Sequence, residues 1–483
     1  MNKKFISNLI LLLVLNLLIK PFWVFGIDRT IQNLIGSTEF GLYFSLFSFS
    51  LIINIILDFG VTNFNNRSIS QNPSKISIFF FNILTLKLIL ALVYIAVVFI
   101  LAAAFGYEKL QVKILFLLVI NQFLSSVILY LRSNISGLQF YTTDCFLSVL
   151  DRSIMIILCS LALWGNILGR TITIIDYIHI QTMSYLTTII IILTILFKKA
   201  PKLEFKININ TAFQLLKDCI PYAVLFFLMS VYNRIDSVML ERMLPDGKLQ
   251  AGIYAQSFRI LDAFSMFAIL FPSLLLPMFA RLLVSKESVV PLMRLSSRII
   301  FVCAVSVAIA CSVYSGPLIA LLYRENVQFS SGVFSILIIS FIPISISYIF
   351  GTLLTANGNL KLLNYISLGA LIINCILNYL LIPGFQAIGS AWTCLITQSL
   401  VAIVQLVFCY RSTIFSFPKP EFLKYFIFIL LLILSIVLVH IINVPWFFKL
   451  TGLSGLILFA GFLSQILSLK QCIMFVKQHG WDF

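Results

Sequence analysis

Charge is scarce in this chain, and negative charge is the scarcer sign. Across 483 residues, 33 lysines and arginines face 17 aspartates and glutamates, and the two together make 10%. An ordinary soluble domain carries roughly a quarter charged residues, so that class is excluded. Histidine is rarer still: His179, His440 and His479 lie far apart and form no ligand cluster. The nine cysteines are scattered, mostly inside apolar runs, without a C-x-x-C pair. They read as small buried hydrophobes, not as disulfides or a metal site. The motifs of soluble catalysis are missing too, with no G-x-S-x-G, H-E-x-x-H or G-K-[ST]. No catalytic residue is expected, and the chain is read as no enzyme.

What the chain has instead is apolar length. It is 61% hydrophobic, with a mean hydropathy of +1.07. That composition defines an all-α polytopic membrane protein. The net charge of +16 has no soluble basic domain to sit on, so it reads as loops facing an anionic leaflet and not as a nucleic-acid site. The opening "MNKKFISNLILLLVLNLLIKPFWVFG" has a basic start and an apolar stretch. No small-x-small cleavage site follows, so it reads as a retained first span.

A spanning helix needs about 20 mostly apolar residues. That ruler places fourteen spans, numbered in order: 5–27, 40–63, 76–104, 112–132, 145–166, 174–197, 219–242, 252–280, 295–323, 330–356, 361–382, 386–410, 422–442 and 451–470. The third and ninth are overlong. With the N-terminus inside, inner segments hold about 20 lysines and arginines and outer segments about 8, the asymmetry of a chain with both termini cytoplasmic. No outer loop is long enough for a folded domain. The longest inner connector is "KKAPKLEFKININTAFQLLKD", residues 198–218.

A short repeat organises the spans. "GSTEFGLY" (36–43) and "GKLQAGIY" (247–254) both read G-x-x-x-x-G-[Leu/Ile]-Tyr. Each follows the first span of a half and opens the next. Six spans separate them, so the halves share one orientation. The organisation is then two pseudo-symmetric six-helix bundles, 1–197 and 219–410, joined by the basic connector 198–218. Residues 411–483 add two helices and a cytoplasmic tail.

The ordered stretches "IGSTEFGLYFSLFSFSLIINIILDFG" (35–60), "NRSIS" (66–70), "YNRIDSVML" (232–240), "AGIYAQSFRILDAF" (251–264), "LLTANG" (353–358) and "NYLLIPGFQAIGSAW" (378–392) resemble the Wzx-type oligosaccharide flippases. These belong to the multidrug/oligosaccharidyl-lipid/polysaccharide exporter superfamily. The resemblance covers nearly the whole chain. It implies two bundles around a central cavity, and alternating-access transport of undecaprenyl-pyrophosphate-linked sugar units across the bacterial inner membrane. O-antigen, lipopolysaccharide or capsule synthesis is the implied setting. The implied partners are the lipid-linked oligosaccharide, membrane lipids, a polysaccharide polymerase and a chain-length regulator, with a monomeric transporter. No cofactor is implied beyond a coupling ion, H+ or Na+. Lipid II flippases and drug/cation antiporters share the fold and stay open as alternatives. A membrane glycan polymerase or ligase is disfavoured by the short outer loops.

Ionisable residues inside the bilayer face a cavity, a partner or water. Arg234 and Asp236 are two apart, about 200° around a helix axis, and so do not pair with each other. Asp236 and Arg259 lie roughly 9 and 10 Å from the outer end of their spans, and Arg234 and Asp262 roughly 12 and 15 Å. These four either clamp span 7 to span 8 or hold a ligand. Lys20, roughly 10 Å deep by the same rise, either joins the cavity or snorkels outward. Lys87, mid-span, is read as a cavity cation, and Asp58 as interfacial or a coupling carboxylate. Asp151 and Arg152, a turn or two inside span 5, are read as structural. The expected pyrophosphate cations are thus Arg234, Arg259, Lys87 and Lys20. Asp236, Asp262 and Asp58 are the structural or coupling carboxylates. Cations outnumber carboxylates, which suits a phosphate and not a cationic drug.

Overall fold

The computed structural model describes residues 3–165, 169–199, 209–411 and 420–467. The connector segment 200–208, the segment 412–419 and the tail from 468 onward lie outside the described residues. Among those described, every regular element is a helix.

Among the described residues, twelve helices are long and apolar enough to cross a membrane. One of them, Leu360–Arg411, is two spans joined at Gln386, where φ 53° and ψ −135° leave the helical region. Counting that pair separately, and adding the N-terminal helix that starts at Lys3, recovers the fourteen spans.

Spans 1, 2 and 9 are among those that differ from the expected ones. Span 1 does not end near residue 27. It runs from Lys3 to Phe22, winds through Trp23–Asp28 as a π-helix, and continues as Arg29–Ile35. Span 2 is not continuous to residue 63. It is α-helical over Ser37–Ile53, tightens to 3-10 over Asn54–Leu57, breaks, and restarts as the separate helix Val61–Gln71. Phe59 and Gly60 take left-handed φ of 45° and 85° at the break, a conformation that glycine adopts without cost. The overlong ninth span resolves into Val290–Val313 and a short helix, Ser315–Leu322.

The chain forms two compact units, Met1–Ala255 and Gln256–Phe483. Their boundary falls inside span 8, not in the connector where the repeat divides the sequence. The reason lies in span 7 (Ile209–Met243), which packs along Ser37–Ile53 and so joins the first unit.

The first unit's core gathers Phe80, Ile83, Tyr130, Leu131, Leu147, Tyr185 and Ile192. Lipid is as apolar as these side chains, so close packing and internal hydrogen bonds hold such helices together. Asn65, fully buried, donates to Ser133 Oγ at 2.8 Å and to Asn134 Oδ1 at 3.1 Å, tying Val61–Gln71 to Lys109–Gly137. In the second unit, spans 9, 13 and 14 share Val302, Val305, Phe428, Ile457 and Ala460. Ser306 Oγ donates across to the Ser454 carbonyl at 2.8 Å.

The two repeat motifs meet within the first unit. A Cβ on Gly41 would lie 1.9 Å from the Lys248 carbonyl oxygen and 2.4 Å from Gly252 N, and one on Gly252 would lie 1.9 Å from the Ser37 carbonyl oxygen. Backbone touches backbone there, which small residues alone permit. Gln32 Nε2 donates to the Gly252 carbonyl at 3.1 Å beside the contact.

Candidate functional site

Pro21 stands inside span 1, lacking an N–H and crowding the carbonyl four residues back. The π segment follows directly. Such segments are rare and concentrate at functional sites. This one carries Trp23 and Asp28 inward, to 5% and 2% exposure. The Tyr177 hydroxyl donates to Asp28 Oδ1 at 2.7 Å, and the Tyr177 ring stacks on Trp23 at 5.9 Å. Tyr43, from the first repeat motif, meets Tyr177 edge-on at 5.5 Å and accepts from Gln181 Nε2 at 3.0 Å.

Lys20 sits one turn before this aromatic wall. Because the helix continues to Ile35, Lys20 lies fifteen residues from its far end, roughly 22 Å. A count from residue 27 therefore understates its distance from the helix end. Its ammonium lies within electrostatic reach of Arg152, Asp151 and Arg132. Asn16 on the same helix donates to Ser148 Oγ at 3.0 Å, which fixes span 1 against span 5.

Arg152 is the residue that sequence reasoning set aside. Span 5 begins at Tyr141, so Arg152 is eleven residues in, roughly 16 Å and mid-span. Its guanidinium lies 5.6 Å from the Trp23 ring centre and 6.0 Å from that of Tyr185, within cation–π range. Asp151 is its carboxylate neighbour, but Nε to Oδ2 is 3.5 Å, long for a charge-assisted bond. Arg152 Nη1 otherwise meets Met155 Sδ at 3.8 Å. Arg132, by contrast, donates squarely to Asp144 at 2.9 Å. Lys20 and Arg152 are thus two half-buried cations within electrostatic reach of each other; Arg152 lies on the aromatic wall that holds Asp28, and Asp151 is its loosely held carboxylate neighbour. Such a group suits an anion with several acceptors, as a diphosphate has.

The other expected residues are differently placed. Lys87 is 1% exposed. Its three donors go to Asp58 Oδ1 at 2.8 Å, Ser126 Oγ at 2.8 Å and the Leu57 carbonyl at 3.1 Å. An ammonium has three protons, so in this arrangement none is left for a phosphate. The cavity reading of Lys87 is corrected: it forms one ion pair with Asp58 at the break in span 2, which gives Asp58 a structural role. Arg234 is half-buried and Asp236 is 1% exposed. The expected partner Arg259 belongs to the second unit. Within the first, Asp236 Oδ2 accepts from the Tyr254 hydroxyl at 2.8 Å. Tyr254 is the tyrosine of the second repeat motif and binds the first span of its half directly, whereas Tyr43 meets Tyr177, which in turn binds Asp28. Arg259 and Asp262, both half-buried, lie three apart on one helix.

Near the far end of span 7, Arg242 covers the Tyr107 ring at 3.7 Å. It donates to the Phe105 carbonyl at 3.2 Å and to Gln111 Oε1 at 3.1 Å. Gln111 donates in turn to Glu241 at 2.8 Å. Burial, with Glu241 adding to it, pushes the Tyr107 phenol up to about 12. It stays neutral there.

Among the described residues the chain is thus an all-helical membrane protein of many spans, with charged side chains inside them. The sequence matches the family described as polysaccharide biosynthesis protein over residues 5–283 and that of the lipid II flippase MurJ over 153–462. The chain belongs to the polysaccharide and lipid II flippase families of the multidrug/oligosaccharidyl-lipid/polysaccharide exporter superfamily. Its fold is similar to that of a lipid II flippase MurJ solved in an inward closed conformation. That likeness has a TM-score of 0.68 at 16% identity and covers 97% of this chain and 99% of the other. It is also similar to a MATE solved in complex with MaD5, with a TM-score of 0.60 at 13% identity over 84% and 95% of the two chains. A superfamily transporter from Pyrococcus furiosus gives 0.60 at 14% over 84% and 94%. No curated protein matches the sequence.

Proposed function

We propose that this chain flips undecaprenyl-pyrophosphate-linked oligosaccharide units from the inner to the outer leaflet of the bacterial plasma membrane, for O-antigen, capsule or a related surface polysaccharide. It works as a transporter and not as an enzyme. The observation that carries the reading is that Lys20 and Arg152 are two half-buried cations within electrostatic reach of each other, and that Asp151 holds Arg152 only loosely. A pyrophosphate fits that balance, and a cationic drug does not. Lipid II carries the same pyrophosphate, and the lipid II flippase match over 153–462 favours it as the second reading. Complementation separates the two. The first expects rescue of a strain lacking its oligosaccharide flippase. The second expects rescue of a strain depleted of its lipid II flippase.

In this reading both termini are cytoplasmic and the face bearing the two repeat motifs is external. A reporter fused at residue 205 is expected to read cytoplasmic and one at 247 external. An external signal at 205 would refute the map.

Arg234 gives a second test. Lysine keeps its charge and loses the planar fork. Arg234→Lys is expected to insert normally and to deliver about tenfold less glycan to the outer face, with Arg234→Ala lower still. Delivery is normalised to protein in the membrane. Wild-type delivery by Arg234→Ala would remove this residue from the pathway.

A further inference from the structure

The Lys87 ammonium has an unusual nest. It is buried in the middle of a 30-residue apolar helix, and its three acceptors come from outside that helix. Leu57 supplies a main-chain oxygen, Asp58 a carboxylate oxygen and Ser126 a hydroxyl, at 3.1, 2.8 and 2.8 Å.

The broken helix makes the Leu57 oxygen available. Beyond Leu57 the chain turns through Phe59 and Gly60, and the Val61 amide donates to the Asp58 carbonyl instead, at 2.8 Å. The Leu57 oxygen then receives only side-chain donors, Lys87 Nζ and Ser126 Oγ, the latter at 3.1 Å. Ser126 gives its one proton to Leu57 and turns a lone pair to Lys87. Asp58 is fixed as well. Thr62 Oγ1 donates to its Oδ1, and the Gly60 amide donates to its Oδ2 at 3.2 Å.

A carboxylate, a freed carbonyl and a hydroxyl, all held by the protein, are the oxygen donors that a hard cation takes in place of water. Unwound backbone inside a span is tolerated where it is buried in protein or lines such a site. Ammonium and potassium ions are similar in size and charge. We propose that the break in span 2 is a monovalent-cation site that the chain fills with its own Lys87 ammonium. A tethered cation cannot leave, so the break keeps one geometry whatever ions surround the protein. A free coupling ion would have to act elsewhere. This inference does not rest on the identity of the cargo.

The test is to empty the site and offer it small cations. Wild type and Lys87→Ala are purified in ammonium chloride. They are then exchanged into choline, sodium, potassium, ammonium or methylammonium chloride at equal ionic strength, and melting is followed. Wild type is expected to melt alike in all five. Lys87→Ala is expected to melt roughly 5 °C lower in choline. It should regain most of that loss in ammonium, methylammonium or potassium. Lys87→Ala with Asp58→Asn should not respond, because the charge that draws the cation is gone. A Lys87→Ala protein that melts equally in choline and ammonium overturns the proposal. So does a double variant that keeps the cation response. If Lys87→Ala does not accumulate, the neutral double variant is expected to accumulate, and its failure also overturns the proposal.

Discussion

Replacing Lys20 and Arg152 together by glutamine is expected to lower outer-leaflet delivery of lipid-linked glycan by about two to three orders of magnitude. The estimate starts from charge-assisted hydrogen bonds worth about 1.5–3 kcal/mol each. Two neighbouring groups act on one ligand and do not add fully, so about 3–4 kcal/mol is the joint effect. Each single change should cost roughly 10- to 150-fold, the span of one such bond. Arg152→Lys separates charge from shape: it keeps the cation and loses both the fork and the broad contact with Trp23 and Tyr185. Membrane levels should hold, because Arg152 is half-buried and its one carboxylate neighbour is adjacent in sequence. A double variant that still delivers at the wild-type rate removes the pair from the transport path.

Alanine at Gly252 is expected to do what alanine in a helix ordinarily does not. Gly to Ala in a helix interior stabilises by up to about 1 kcal/mol. At Gly252 the added carbon would lie 1.9 Å from the Ser37 carbonyl oxygen, a backbone atom that no rotamer change moves. The same holds at Gly41 against Lys248. Overpacking costs about 1–3 kcal/mol even where side chains give way, so the sign reverses. Gly252→Ala and Gly41→Ala should melt several degrees lower and deliver little glycan. Gly452→Ala and Gly369→Ala, helix residues whose new carbons meet nothing within 4 Å, are the controls: they should deliver normally and melt no lower than wild type. A Gly252→Ala protein indistinguishable from Gly452→Ala would show that the two motifs do not need this contact.

The spans and the repeat were open to sequence reasoning because both are carried by local signals, apolar length and a tyrosine motif in a fixed slot. The breaks were not. Asn54–Gly60 reads "NIILDFG", apolar enough to pass any hydropathy window, and Trp23–Asp28 is as hydrophobic as the helix before it. A π turn or a left-handed step changes geometry without changing composition. Those two irregularities then moved the chemistry. Ending span 1 near residue 27 put Lys20 close to a surface and Asp28 outside the helix. Starting span 5 at 145 instead of Tyr141 made Arg152 look shallow. The bond between Lys87 and Asp58 joins residues 29 apart, one in a helix and one in the break of another span, and no spacing rule connects them. The one local clue is an aspartate two residues before a glycine late in span 2, and the sequence shows no partner for it.

The π segment has one more consequence, for insertions and deletions. A π turn takes up one residue more than the α turn it replaces, while the helix on either side keeps its rotation. Span 1 therefore carries a spare residue between Trp23 and Asp28. Removing Gly26 would let this stretch rewind as ordinary α-helix. Lys20 would stay beside Arg152, and Gln32 would stay on the Gly252 carbonyl. Removing a residue from the regular helix before it, such as Leu17, turns one flank by about 100° against the other. In a deletion scan along this helix, tolerance should therefore appear as a narrow window at 23–28, with loss on both sides.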